Sequence, residues 1–292
     1  MFKQRIMLIL LAAVILSGPA ASFAQTVAPA SKQDELIAVL KSNDSTRREK
    51  ATACRFLTFI ATEKAVPVLA ALLADEEMNH MARYALEPIP SGAVDDALLE
   101  ALGKLKGKPL VGVIGSLGVR GETRAVKPLA GMLKSNDPMI AQAAARSLGN
   151  IGDKASVKAL GGAISGSKGD TKLAVCEGLF RCAENLGGKD AISIYDKLRK
   201  LKDPHQARGG GLRGAILTRK DGLSLLKANL TSKDYILFSA AVQASSEMPG
   251  AKVTHTLGAA LTKVSPDNQI LILGTLADRG DPAAMPAISA AA

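Results

Sequence analysis

This 292-residue chain has no tryptophan, three tyrosines and six phenylalanines. So few aromatics exclude a core built on large flat side chains and leave little to stack on bases, so nucleic acid is disfavoured as a partner. Histidine is equally scarce. His80, His205 and His255 lie far apart with no ligand-spaced neighbours, so no metal site is expected. Three cysteines are too few for a disulfide framework. Cys176 and Cys182, six apart on a helix, would stand about 9 Å apart along its axis, beyond disulfide reach. Buried free thiols are the expectation for both and for Cys54. Apolar and polar residues nowhere alternate with period two between hairpin turns, so no strands are expected.

The long hydrophobic runs of a membrane protein are also missing. The one candidate is Ile6 to Leu16, about half the roughly 20 residues a spanning helix needs. Lys3 and Arg5 precede it, and Ser22-Phe23-Ala24 follows as a small-residue cleavage site. That order reads as an export signal over residues 1–24, cut after Ala24. The implied location is periplasmic or extracellular, with no stable membrane insertion after cleavage. Residues 25–33, polar and rich in Pro and Ala, read as a flexible leader. Residues 34–292 remain for the folded body.

What the chain has in abundance is repetition. "VGVIGSLGVRGETRAVKPLAGML" (Val111 to Leu133) is followed by "AQAAARSLGNIGDKASVKALGGAI" (Ala141 to Ile164). Each passage is a small-residue helix, a Leu-Gly ending, a short turn and an Ala-Val or Ser-Val opening. Ala141, Ala144, Ala145 and Leu148 keep the i, i+3, i+4, i+7 spacing of a helix with one apolar face. Gly149 and Gly152 are placed to end it. Val66, Val94, Val126, Val157, Ile192, Leu223, Val253 and Met285 mark the openings of successive first helices, about 31 residues apart. A unit that short has room for two helices and tight turns, and it cannot bury its apolar face alone. The expected fold is all-α: a right-handed solenoid of about eight two-helix repeats, the last incomplete. "ARGGGLRGA" (Ala207 to Ala215) is its weakest helical segment, open to a kink, close packing or a loosened unit.

The pattern A-x-x-x-L-G-x-x-G over Ala144 to Gly152, continued through Val157 to Leu160 and repeated around Gly115 to Leu129, resembles the short HEAT-like repeats of the phycobilisome-lyase type. Cys54 to Gly107 is similar to the HEAT arrays of secreted bacterial proteins, some of which carry a further domain after the array. The resemblance implies a helical binding scaffold and carries over no catalytic residue or cofactor. The alternative is the N-terminal array of a larger secreted enzyme.

A net charge of +10, or +8 without Lys3 and Arg5, biases the surface towards anionic partners, so a protein or an anionic polymer is expected. Eleven residues before four of the openings stand Arg55, Arg83, Arg146 and Arg181. At 100° per residue each points away from its helix's apolar stripe, which predicts a broken file of guanidinium groups on a concave face. Gly115, Leu212, Val242 and Gly274 interrupt the file. The competing expectation is a solvated face with ion pairs to residues such as Glu49 or Asp170. "NHMARYALEPIP" (Asn79 to Pro90) departs from the Leu-Gly ending. Pro88 disfavours helical geometry at Glu87, making Tyr84 and Glu87 candidates for a functional turn. Neither "GAISGSKGD" (Gly162 to Asp170) nor "GSLGVRG" (Gly115 to Gly121) has the strand–loop–helix context of a nucleotide site, and both read as inter-helix segments.

Overall fold

The computed structural model describes residues 29–291, so the expected signal at 1–24 lies outside the described residues. Within them the structure is all-α, built as successive helix pairs. The first pair is α1 (Pro29–Lys41) and α2 (Arg47–Ile60); the second is α3 (Val66–Ala71), flanked by short 3-10 turns, and α4 (Asn79–Leu86). Next come α5 (Gly92–Lys104) with α6 (Gly107–Val119), and α7 (Val126–Met132) with α8 (Pro138–Ile151). They are followed by α9 (Lys154–Ala163) with α10 (Gly169–Leu186), and α11 (Gly188–Leu198) with α12 (His205–Thr218). The series continues with α13 (Gly222–Asn229) and α14 (Tyr235–Glu247), then α15 (Ala251–Leu261) and α16 (Pro266–Arg279). The described residues end in a first helix, α17 (Met285–Ala291). Second helices pack on second helices and first helices on first, giving two layers of an α-solenoid.

The register that builds the core sits one residue before most of the expected openings. Ala65, Val94, Ala125, Ser156, Ala191, Gly222, Val253 and Ala284 are the buried positions. Val94 and Val253 were expected in this role; Val66 and Val126 are buried too and open α3 and α7 as expected, whereas Val157, Ile192 and Leu223 are half-buried and Met285, which opens α17, is exposed. Small side chains suit this position because it lies at the tight entry to the first helix. Four residues on, Leu69, Leu98, Leu129, Leu160, Leu226 and Leu257 fill the space between layers, one turn along the same face. Three residues before it, Ser91, Glu122, Asp153 and Asp281 each accept a hydrogen bond from a backbone N–H of the helix start.

Two local expectations are corrected and one open alternative is resolved. Helix α1 begins at Pro29, inside the expected leader, and Gln33 is buried there, its Oε1 accepting from the Thr62 backbone N–H at 2.6 Å. Gly149 does not end α8; it lies within the helix, and Gly152 supplies the left-handed cap at φ 69°. Of the alternatives open for the triple glycine of α12, close packing is the one the structure shows. A Cβ on Gly211 would stand 2.5 Å from the Arg199 backbone nitrogen, and one on Gly210 2.9 Å from the Phe180 ring, so the glycines let α12 close on its neighbours. Buried apolar residues form two continuous clusters, one running from Leu36 to Ala207 and one from Leu212 to Ala284, which meet within α12.

The candidate binding face

The second helices carry all four arginines of the expected file, but the structure does not align them. Arg146 Nε lies 3.5 Å from a carboxylate oxygen of Glu177 on α10, and Arg181 on α10 donates to the Asn150 side chain of α8. Both pairs are separated by 31 residues (177 − 146 and 181 − 150). Glu177 is therefore the counterpart of Arg146 in the next repeat, and Asn150 the counterpart of Arg181 in the previous one. Counting eleven residues back misplaces Arg181 by about a turn, because α10 has 18 residues where α8 has 14.

Arg83 is not a solvated guanidinium. It is half-buried between α4 and α6, Nε donating to Asn79 Oδ1 at 2.8 Å and Nη1 to Ser116 Oγ at 3.3 Å. Ser116 Oγ donates in turn to Glu87 Oε1 at 2.6 Å. Burial pushes the Arg83 pKa down, and the charge of Glu87 opposes the shift. Glu87 thus belongs to an interlock between repeats. It keeps helical dihedrals despite Pro88, its N–H donating to the Arg83 carbonyl at 2.9 Å. Tyr84, on the other side of α4, is exposed. Of the expected file Arg55 and Arg181 stand exposed without a carboxylate among the described residues, Arg181 on the Asn150 amide and Arg55 with its guanidinium 5.7 Å from the centre of the Phe56 ring.

The expected partners Glu49 and Asp170 do not serve the file. Glu49 closes a capping box with Thr46 at the start of α2, and the Thr46 hydroxyl and backbone N–H hold its carboxyl below the usual range. Ion pairs between second helices come instead from Arg146 with Glu177 and Arg213 with Glu247. Arg146 and Arg213 are thus neutralised by the adjacent repeat, whereas Arg181 is held by the neutral Asn150 amide.

Apolar exposure distinguishes the layer. Phe56 and Phe59 on α2, Tyr84 on α4, Val119 on α6, Met139 on α8, Leu217 on α12, Tyr235 on α14, and Ile270 and Leu271 on α16 are the large apolar side chains left to solvent there. Phe59 is 79% exposed and Ile270 68%. Among the described residues the first helices leave one, Met285. Gly115 and Gly274 open the same layer: a Cβ at either would meet nothing within 4 Å. A sequence scan for charge passes over these residues, whose only signal is an apolar side chain off the helix's buried stripe.

Two arginines outside the expected file fix the stack. Arg120, at the end of α6, donates through Nη1 to the carbonyls of Glu87 and Ile89 at 2.8 and 2.9 Å, through Nη2 to that of Ser91 at 3.1 Å, and pairs with Asp95. Arg279, at the end of α16, grips the carbonyls of Ser245, Met248 and Gly250 in the same manner. The Asp95 hydrogen bond raises the Arg120 pKa further. Cys54, Cys176 and Cys182 are buried free thiols, as expected, and burial pushes them up to about 11, 11 and 12.

The two-layer stack of short helix pairs, with its interlocks about 31 residues apart, is that of a repeat solenoid. Residues 90–179, spanning α5 to most of α10, match the HEAT-repeat family, so that stretch of the stack is similar to HEAT repeats, which suggest a protein-interaction scaffold. No curated protein matches the chain. Solved structures with which it shares a likeness include human deoxyhypusine hydroxylase in complex with glycerol, at 16% identity and a TM-score of 0.39, covering 81% of this chain and 91% of that one. The complex of CpcE and CpcF of phycocyanin lyase from Nostoc is similar at 19% identity and a TM-score of 0.34, with 96% and 98% covered. YibA of E. coli is similar at 16% identity and a TM-score of 0.48, with 91% and 99% covered. Among the described residues no helix is long and apolar enough to cross a membrane.

Proposed function

We propose that this chain is an exported, non-catalytic HEAT-repeat scaffold that binds a protein partner across its second-helix layer. The observation that carries the reading is the segregation of exposed large apolar side chains onto that layer. Single exposed apolar residues are ordinary, but their concentration on one of two layers marks an interaction surface. Anchors of this kind suit a protein better than an acidic polymer, because aromatic side chains are favoured at interface cores and Arg146 and Arg181 already have partners on adjacent helices. The scaffold reading is also supported by the placement of His80, His205 and His255 on α4, α12 and α15, in different repeats. Export rests on the sequence of residues 1–24.

The test is recovery of a partner from the exported fraction by wild type and by a variant with Phe59, Tyr84, Tyr235 and Ile270 changed to serine. Loss of a specific partner in the serine variant, with an unchanged melting curve, supports the reading; equal recovery sinks it. Changing Arg55, Arg146 and Arg181 to alanine should leave recovery nearly intact, whereas loss in that variant alone would favour the anionic polymer. For export, N-terminal sequencing of the secreted product should begin at Gln25. Retention of the whole chain in the cytoplasm would contradict it.

A further inference from the structure

Clefts recur between neighbouring first helices, on the other layer of the stack. The cleft between α3 and α5 holds about 300 Å³ and that between α13 and α15 about 360 Å³, whereas the one between α7 and α9 holds about 1000 Å³. Small side chains make it wide: Ala130 faces Ala159 and Gly162, where a Cβ would meet nothing within 4 Å. Its floor is apolar, with Leu133 at the bottom.

The rim is basic. Lys127 and Lys134 stand on the α7 side and Lys158 on the α9 side, all exposed, and no Asp or Glu lines the cleft. None of the three makes an ion pair among the described residues; the fourth cation at the rim, Arg124, is held by Asp96 and Glu122. The smaller α3–α5 cleft differs here too, its Lys104 being paired with Glu100. Charge of one sign, left uncompensated around an apolar trough, calls for a ligand that is apolar on one face and anionic at its edges.

We propose that this cleft docks an acidic amphipathic helix of a partner protein. Lys127 stands in the first turn of α7 and Lys134 in the turn two residues past its end, a span of roughly two helical turns. A docked helix presents apolar anchors at i, i+3 or i+4, and i+7, so carboxylates two turns apart on its flank match that spacing. Lys158 meets the opposite flank. The trough is recessed between two helices, which suits an inserted helix better than a flat membrane. This surface is separate from the second-helix layer and independent of what binds there.

The experiment titrates the protein into a fluorescein-labelled amphipathic peptide of about five helical turns, with leucines on one face and glutamates flanking them, read by anisotropy. Wild type should bind saturably. Lys127→Glu, Lys134→Glu and Lys158→Glu combined, or Ala159→Phe alone, should weaken binding about tenfold or more, with melting curves confirming that each variant is folded. Combined reversal of the exposed Lys189, Lys200 and Lys202, with the same change in net charge, should leave affinity unchanged; an equal loss there would mean diffuse attraction and overturn the site. No wild-type binding, or equal binding of a glutamine version of the peptide, overturns it as well. Co-sedimentation with phosphatidylserine–phosphatidylcholine vesicles, abolished by the rim reversal while the peptide fails to bind, would assign the cleft to lipid and overturn the helix. The serine variant of the second-helix layer should bind the peptide like wild type, which keeps the two readings separable.

Discussion

Arg146 and Glu177 pair at 3.5 Å from equivalent positions of adjacent second helices, so the cation of one repeat is neutralised by the next. Both side chains are close to half exposed, and a pair of that kind contributes roughly 0–1 kcal/mol. Arg146→Ala should therefore lower stability by about that amount, measured by urea unfolding, and the loss should shrink with added salt.

Arg120→Ala is expected to behave differently. Its side chain is 12% exposed and satisfies three carbonyls of the preceding turn as well as Asp95. Removing it leaves those groups without a partner, at a cost of about 2–4 kcal/mol. A urea midpoint close to that of Arg146→Ala would contradict the assignment of Arg120 as an interlock.

The glycines of the second helices divide by sign. A Cβ at Gly178 would stand 2.6 Å from the Ala145 carbonyl oxygen, and one at Gly149 2.5 Å from the Gly178 Cα, so α8 and α10 touch backbone to backbone. Gly178→Ala should destabilise by about 1–3 kcal/mol. Gly115→Ala and Gly274→Ala, in open space on helices, should each stabilise by roughly 0.5–1 kcal/mol. Thermal melts of the three variants check the opposite signs.

How much of this was legible beforehand follows from what periodicity carries. The helix pairs, the 31-residue period and the burial of Val94, Leu129 and Leu148 are visible because a repeated apolar spacing directly encodes which face is covered. The arginine file was not legible as drawn. Its count assumed helices of constant length, and the longer α10 shifts Arg181 by about a turn, while Arg83 turns into the α4–α6 junction to meet Ser116, which no spacing rule reveals. Arg120 and Arg279 were invisible for a related reason: their partners are mostly backbone carbonyls, which have no sequence identity.

Acid should loosen the helix starts. The Arg124 guanidinium beside Glu122 and the Thr254 hydroxyl beside Asp281 hold these carboxyls below their ordinary values of 4.5 and 3.8. A carboxyl whose folded pKa is lowered stabilises the folded state above its ordinary value. That contribution is lost as pH falls past the ordinary value and through the lowered one. Urea midpoints should be level near neutrality and fall below about pH 4.5, with Glu122→Gln flattening part of the decline.

The thiols provide a check on the core. With pKa values pushed up to about 11 to 12 by burial, Cys54, Cys176 and Cys182 should be inert to Ellman's reagent in the native protein at pH 8. All three should react once denaturant is added. A thiol that reacts promptly before unfolding would mean that its repeat is open.

The central claim is that a protein partner is held by the second-helix layer. A photo-crosslinking amino acid placed singly at Phe59, Tyr84, Tyr235 and Ile270 tests it most directly, with Lys64 and Lys189 on the first-helix side, away from the α7–α9 cleft, as comparison positions. The account predicts one common crosslinked partner from the second-helix positions and none of it from the comparison positions. Crosslinks to that partner from Lys64 and Lys189 alone would contradict it.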